Sequence, residues 1–168
     1  MYKFESSIFI NRPPQEVFDY VTNPANSAQW QSGTQSAEWT SDGPHGVGST
    51  FKVVTSLLGR KIEAVVEVTG REPPNLSRIK SVGGPIPFES TTKFEAQGDG
   101  TLLTQTAQAE IGGFFKLAEG LVGKQLEKQF EANNAALKLL LEAGQVQTAR
   151  TVSASLRETS LAPDQRAG

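Results

Sequence analysis

Cysteine is absent from this chain of 168 residues, and histidine occurs once, at His45. Without thiols there are no disulfides, zinc–cysteine sites, iron–sulfur clusters or thiolate nucleophiles. A lone histidine also excludes metal sites built on two imidazoles, and any catalytic triad would have to centre on it. Neither sign of charge dominates: 16 Lys and Arg face 18 Asp and Glu, a formal net charge of -2. The basic excess of a general nucleic-acid binder is missing, so no nucleic-acid partner is expected. Long apolar runs are missing too. The aliphatic stretch Leu139 to Leu141 falls far short of the roughly 20 residues a helix needs to cross a bilayer. The opening MYKFESSIFINRPP carries charges within its first five residues and lacks the apolar core of a signal peptide. A cytoplasmic protein without stable membrane insertion is expected. Hydrophobic residues make up 37%, low for a tightly filled core but above the range of disordered chains.

What is present is largely alternation. Phe4, Ser6, Ile8 and Ile10 share one face of a first strand, opposite Lys3, Glu5 and Ser7. Pro13-Pro14 closes that strand and opens a helix, because proline suits the first helical position. The helix sets Val17, Phe18 and Val21 to one side, Asn23-Pro24 breaks it, and a second short helix runs towards Trp30. From about residue 35 to 111 apolar or small residues recur at every second position, and turn signals punctuate the chain every 10–12 residues. Gly59-Arg60 and Gln97-Gly98-Asp99-Gly100 mark tight hairpins. Such spacing predicts an antiparallel meander with one wet and one covered face. The cover follows directly: residues 114–143 contain no proline and repeat apolar residues at helical spacing through Val122, Leu126, Phe130, Leu137 and Leu141. About 28 helical residues would span roughly 42 Å, enough to cross a curved sheet. Gly144 is the expected stop. The division expected is a domain over 1–144 and a polar, flexible tail over 145–168.

The order of strand, two short helices, six further strands and one long helix resembles the START-like, or SRPBCC, superfamily, and within it the polyketide cyclase/dehydrase-type proteins. The resemblance rests on several stretches of residues 2–143. Ile10 to Phe18 match the strand-to-helix corner, Asn23-Pro24 to Trp30 the second short helix, and Gly46-Val47-Gly48-Ser49 a glycine-rich turn. Gly100-Thr101 match the turn into the last strand, and Leu137-Lys138 to Leu141-Glu142 the end of the long helix. It implies an α+β helix-grip fold: a curved antiparallel seven-stranded sheet wrapped around a long C-terminal helix, with two short helices after strand 1. It also implies a ligand cavity between sheet and helix. The superfamily includes lipid carriers, hormone receptors, ring-closing enzymes, oxygenase subunits and co-chaperones, so the fold does not choose the activity.

The residues themselves support a cavity. The inner face carries small or hydroxylated side chains at Ser6, Thr55, Ala64, Ser77, Ser81, Ser90, Thr92, Gln105, Ala107 and Ala109, where a filled core would prefer Leu, Ile or Phe. Gly120 and Gly123 would let a ligand, or the sheet itself, approach the helix closely. Aromatic walls are expected from Trp30, Phe51, Phe88, Phe94 and Phe130. Ser90, Thr92, Val122 and Leu126 complete the apolar and hydroxyl lining. Gln105 and Asn133 are the polar positions expected to orient a ligand, since a buried amide needs a partner; neighbouring side chains such as Ser90 or Thr92 could also serve. Glu119, on the projected cavity stripe, is the one candidate base for acid–base chemistry; at a helix start it equally suits the helix dipole. His45 sits in DGPHGVG and is expected in an exposed turn. Gly83–Pro87 is expected as a lip near the cavity mouth. Neither glycine-rich stretch has the lysine or spacing of a nucleotide-binding loop, and no cofactor or metal is expected.

Three functions are compatible with this reading. The first is binding of a small hydrophobic molecule of lipid, polyketide or isoprenoid-like character. The second is a cyclase or dehydratase-type reaction in the same cavity. The third is a regulatory protein-interaction module. The scarcity of groups able to move protons favours the first.

Overall fold

A computed structural model of the chain describes residues 1–160, with the side chains of 113–115 and 145–160 left aside. Strand β1 (Tyr2–Ile10) leads through Pro13 into α1 (Pro14–Val21). A 3-10 turn (Pro24–Asn26) and α2 (Ser27–Trp30) follow. Six more strands come in sequence: β2 (Thr34–Trp39), β3 (Thr50–Leu57), β4 (Arg60–Glu72), β5 (Leu76–Gly83), β6 (Phe88–Gln97) and β7 (Gly100–Ala109). A 3-10 stretch (Gly113–Ala118) then enters α3 (Glu119–Ser160). All seven strands form one antiparallel sheet in the order β1-β7-β6-β5-β4-β3-β2. The chain is thus the α+β helix-grip fold: a seven-stranded sheet holding a long C-terminal helix, with short helices after the first strand.

Two local features depart from the sequence reading. The β3–β4 turn is Leu58-Gly59, both with positive φ (49° and 75°), and Arg60 already belongs to β4. Two consecutive left-handed residues match the right-handed twist of a hairpin. Gly144 does not stop α3, which runs on to Ser160. One helical glycine costs only about 1 kcal/mol, and no proline interrupts the chain until Pro163. The last eight residues of the expected tail, 161–168, lie outside the described residues. At Gly123, of the two approaches left open, the structure has the sheet's: a Cβ there would fall 2.1 Å from the Tyr2 ring, whereas Gly120 faces open space.

The inner face of the sheet is not filled evenly. At the α1 end a dense cluster joins Ile10, Val17, Phe18, Trp30, Phe94, Leu103 and Leu137, each at most 4% exposed. Phe18 meets Phe94 edge-on with ring centroids 5.1 Å apart. Helix α3 is latched here: Lys138 Nζ donates to the Phe9 carbonyl (2.7 Å) and to Glu142 (2.7 Å), and Glu142 also accepts from the Asn11 amide (3.0 Å). The Lys138 ammonium, and then the Asn11 N–H, hold the Glu142 carboxyl below its ordinary value. At the opposite end Leu57, Ile62, Ile111 and Val122 form a smaller cluster. Between the two, sheet and helix stand apart.

Candidate ligand-binding cavity

That gap is a cavity of about 300 Å³, at the small end of the range for ligand sites. Its floor is the sheet, and Leu126, Phe130 and Asn133 of α3 form part of its roof. Cross-strand register explains why it is hollow. One row of paired residues reads Arg71 (β4), Ser77 (β5), Thr92 (β6), Gln105 (β7) and Ser6 (β1). Five neighbouring strands therefore place polar side chains on one line, spanning about 19 Å at roughly 4.8 Å per strand. The adjacent row, Ile79, Ser90 and Ala107, is mostly too small to reach the helix.

The polar row is not satisfied evenly. Ser6 accepts from Asn134 Nδ2 of α3 (2.9 Å). Gln105 and Thr92 are 7% and 8% exposed, and their side chains make no hydrogen bond among the described residues. Buried polar groups almost always find a partner in protein, water or ligand. Here the protein supplies none, and both side chains line the cavity. The Trp30 indole N–H, in the same wall, is also without an acceptor among the described residues. Asn133 behaves differently. Its Oδ1 accepts from the Ser32 amide (2.8 Å) and hydroxyl (3.0 Å), while Gln129 Nε2 donates to the Ser32 carbonyl. These bonds pin α3 to the loop between α2 and β2. Gly33 in that loop has φ +84°, and a Cβ there would fall 2.8 Å from Gln129 Nε2.

Most of the anticipated wall is brought together: Trp30, Phe51, Phe88, Ser90, Thr92, Gln105, Leu126, Phe130 and Asn133 all line the cavity. Two expected positions do not. Phe94 lies one row beyond Thr92, paired with Leu103 inside the filled cluster. Val122 is 0% exposed and packs with Leu57 and Ile111 at the far end. Glu119 is also absent from the wall; it is part-exposed, with Oε1 3.9 Å from the amino group of Met1. His45 stacks on Trp39 at 3.8 Å, half-buried and away from the cavity, with Nε2 3.0 Å from the Ser41 carbonyl. Of the small inner-face residues, Ser81 is spent locally, accepting from the Phe88 amide (2.8 Å). Ile86, in the anticipated lip, contributes to the wall.

Several wall residues lie outside the anticipated set, among them Thr22, Gln31, Ser32, Gln129 and, with a full charge, Arg71. Arg71 lines the cavity, although alternation from Ile62, Ala64, Val66 and Val68 turns position 71 outward. Val68 pairs with Ile79 but Gly70 pairs with Arg78, so Thr69 is an extra residue in β4. Such a bulge reverses the alternation beyond it and swings Arg71 inward opposite Ser77. The guanidinium donates to Thr22 Oγ1 (3.3 Å) and lies 4.9 Å from the centre of the Phe18 ring. Among the described residues it is the only charged one lining the cavity. No group of three His, Cys, Asp or Glu among the described residues is placed to hold a metal ion.

A grip helix over a seven-stranded sheet, with a largely apolar hollow between them, defines a protein of the START-like kind. The family assignment is narrower: the chain belongs to the polyketide cyclase / dehydrase and lipid transport family, whose model matches residues 1–142. Solved structures share the fold at low identity. The protein TTHA0849 from Thermus thermophilus is 21% identical with a TM-score of 0.74, covering 84% of this chain and 98% of that one. A START superfamily protein from Mycobacterium smegmatis is 14% identical with a TM-score of 0.68, covering 85% and 99%. The major latex-like protein 151 from Panax ginseng is 14% identical with a TM-score of 0.56, covering 77% and 96%. No curated protein matches the chain in sequence. No helix among the described residues is long and apolar enough to cross a membrane.

Proposed function

We propose that the chain binds and carries a small, largely apolar molecule in the cavity between sheet and α3. One observation carries this reading: Gln105 and Thr92 are buried, face the cavity and have no partner among the described residues. A purely structural core would have filled that space or paired those groups. Affinity comes chiefly from burying apolar ligand surface, at about 25 cal/mol per Å² before ordering costs. Gln105 and Thr92 then orient the ligand rather than provide most of the energy. Carriage is favoured over cyclisation or dehydration by the wall's chemistry. Among the described residues the wall contains no Asp, Glu, His or Lys, and Glu119 lies outside it. A cytoplasmic carrier is the form proposed, and cell fractionation of the host would find it in the soluble supernatant.

Native mass spectrometry of the protein purified from its own host tests the proposal. A co-purified species of a few hundred daltons, released by denaturation, is the expected result. A consistently empty protein that also fails to take up apolar molecules would contradict it.

A further inference from the structure

We propose that the ligand is an amphipathic anion whose carboxylate or similar acidic group is bound by Arg71; this rests on the cavity reading above. Three observations converge on it. The wall is otherwise uncharged among the described residues, so the guanidinium is the one full charge facing the hollow. It has no carboxylate partner: none of the ion pairs among the described residues includes Arg71. Its single hydrogen bond is to Thr22 Oγ1, which leaves most of its five N–H donors free. An arginine facing a low-dielectric space without a counter-charge favours whatever anion enters.

The position is also prepared. The bulge at Thr69 is what turns Arg71 inward, the Phe18 ring lies close beneath the guanidinium, and the Thr22 hydroxyl, which donates to the Phe18 carbonyl (2.8 Å), presents its oxygen to Nη1. The side chain is therefore held at a fixed end of the polar row, beside Ser77. Ser77, Thr92 and Gln105 continue the hydrogen-bonding line away from the charge, while Ile79, Ile86, Leu57 and Leu126 wall the apolar remainder. A molecule with an acidic head and an aliphatic or polyketide body matches that polarity. A neutral hydrocarbon would cover the part-buried guanidinium without supplying a counter-charge, which is costly.

Calorimetric titration with decanoate and with decan-1-ol at pH 7 tests this, because the two differ only in the head group. Wild type is expected to bind decanoate about tenfold or more tightly than decan-1-ol, the ratio a charge-assisted hydrogen bond supplies. Arg71→Gln should abolish that preference while still binding decan-1-ol, and Arg71→Lys should keep part of it. The preference in wild type is informative even if a variant fails to fold. Equal or tighter binding of decan-1-ol by wild type would overturn the anion proposal and leave the apolar cavity reading standing. An unchanged preference in folded Arg71→Gln would do the same. If neither molecule binds wild type, both readings fall together.

Discussion

Two stretches of the same inner sheet face end in opposite states. Towards α1, Ile8, Phe94 and Leu103 lie in one register row, and Phe18, Trp30 and Leu137 close over them. One row along, Ser77, Thr92 and Gln105 occupy the equivalent places and line the cavity under the helix. Strand, twist and alternation are common to both rows; only side-chain volume and polarity differ. The filled rows are where the fold gains its stability, at about 1.5–3 kcal/mol for each large apolar side chain buried. The hollow row gives up that gain and keeps polar groups without protein partners, the signature of a site rather than a scaffold.

Substitutions at the two ends should therefore diverge. Leu103→Ala, at a position 0% exposed, should cost about 2–5 kcal/mol in denaturant unfolding and affect ligand binding only through loss of folded protein. Gln105→Leu, two residues along β7, should change stability by less than about 1 kcal/mol in either direction, since it removes an amide with no protein partner to strand. Its effect should appear in ligand selectivity. A Gln105→Leu variant that unfolds while Leu103→Ala is tolerated would invert the comparison. The smallest effect should lie in the latch that holds α3 at the filled end. The folded state lowers the Glu142 pKa, so its contribution is present above the ordinary value near 4.5 and is lost as pH falls through the folded value. Glu142→Gln should destabilise by less than about 1 kcal/mol at pH 7, because the pair is partly exposed. The gap between variant and wild type should close in acid. Urea unfolding at pH 7 and pH 3.5 would measure it; a gap that widened in acid would show that the carboxylate does not act as the latch.

Much of this contrast can be read from residue patterns. Period-two alternation locates the strands, and the unusual run of Ser, Thr, Ala and Gln on the inward parity marks the sheet as under-filled. The place where filling stops is harder to read. Phe94 and Thr92 share a face and differ by one register row, and only the pairing with Leu103 and Gln105 assigns one to the core and the other to the cavity. Val122 and Leu126 share a helical stripe and the same far-end cluster, yet only Leu126 reaches the cavity wall. Arg71 was hidden for a sharper reason. Nothing in Val68-Thr69-Gly70-Arg71 distinguishes a bulge from regular strand except the glycine, and one extra residue reverses every side chain after it. Asn133 lines the cavity as its stripe implies, but no residue pattern reveals that its oxygen is engaged by Ser32.

The central claim is that the hollow row is where a ligand sits. Ala107, in the adjacent row between Ser90 and Phe4, lines the same cavity, and Ala107→Phe would fill it without touching the latch or the filled cluster. The direct measurement is a titration of wild type and this variant with N-phenyl-1-naphthylamine, a neutral apolar fluorophore, alongside far-ultraviolet circular dichroism. Wild type should saturate at one fluorophore per chain, and the variant should keep its fold and lose the signal. Equal saturation of both proteins would place binding elsewhere and contradict the account.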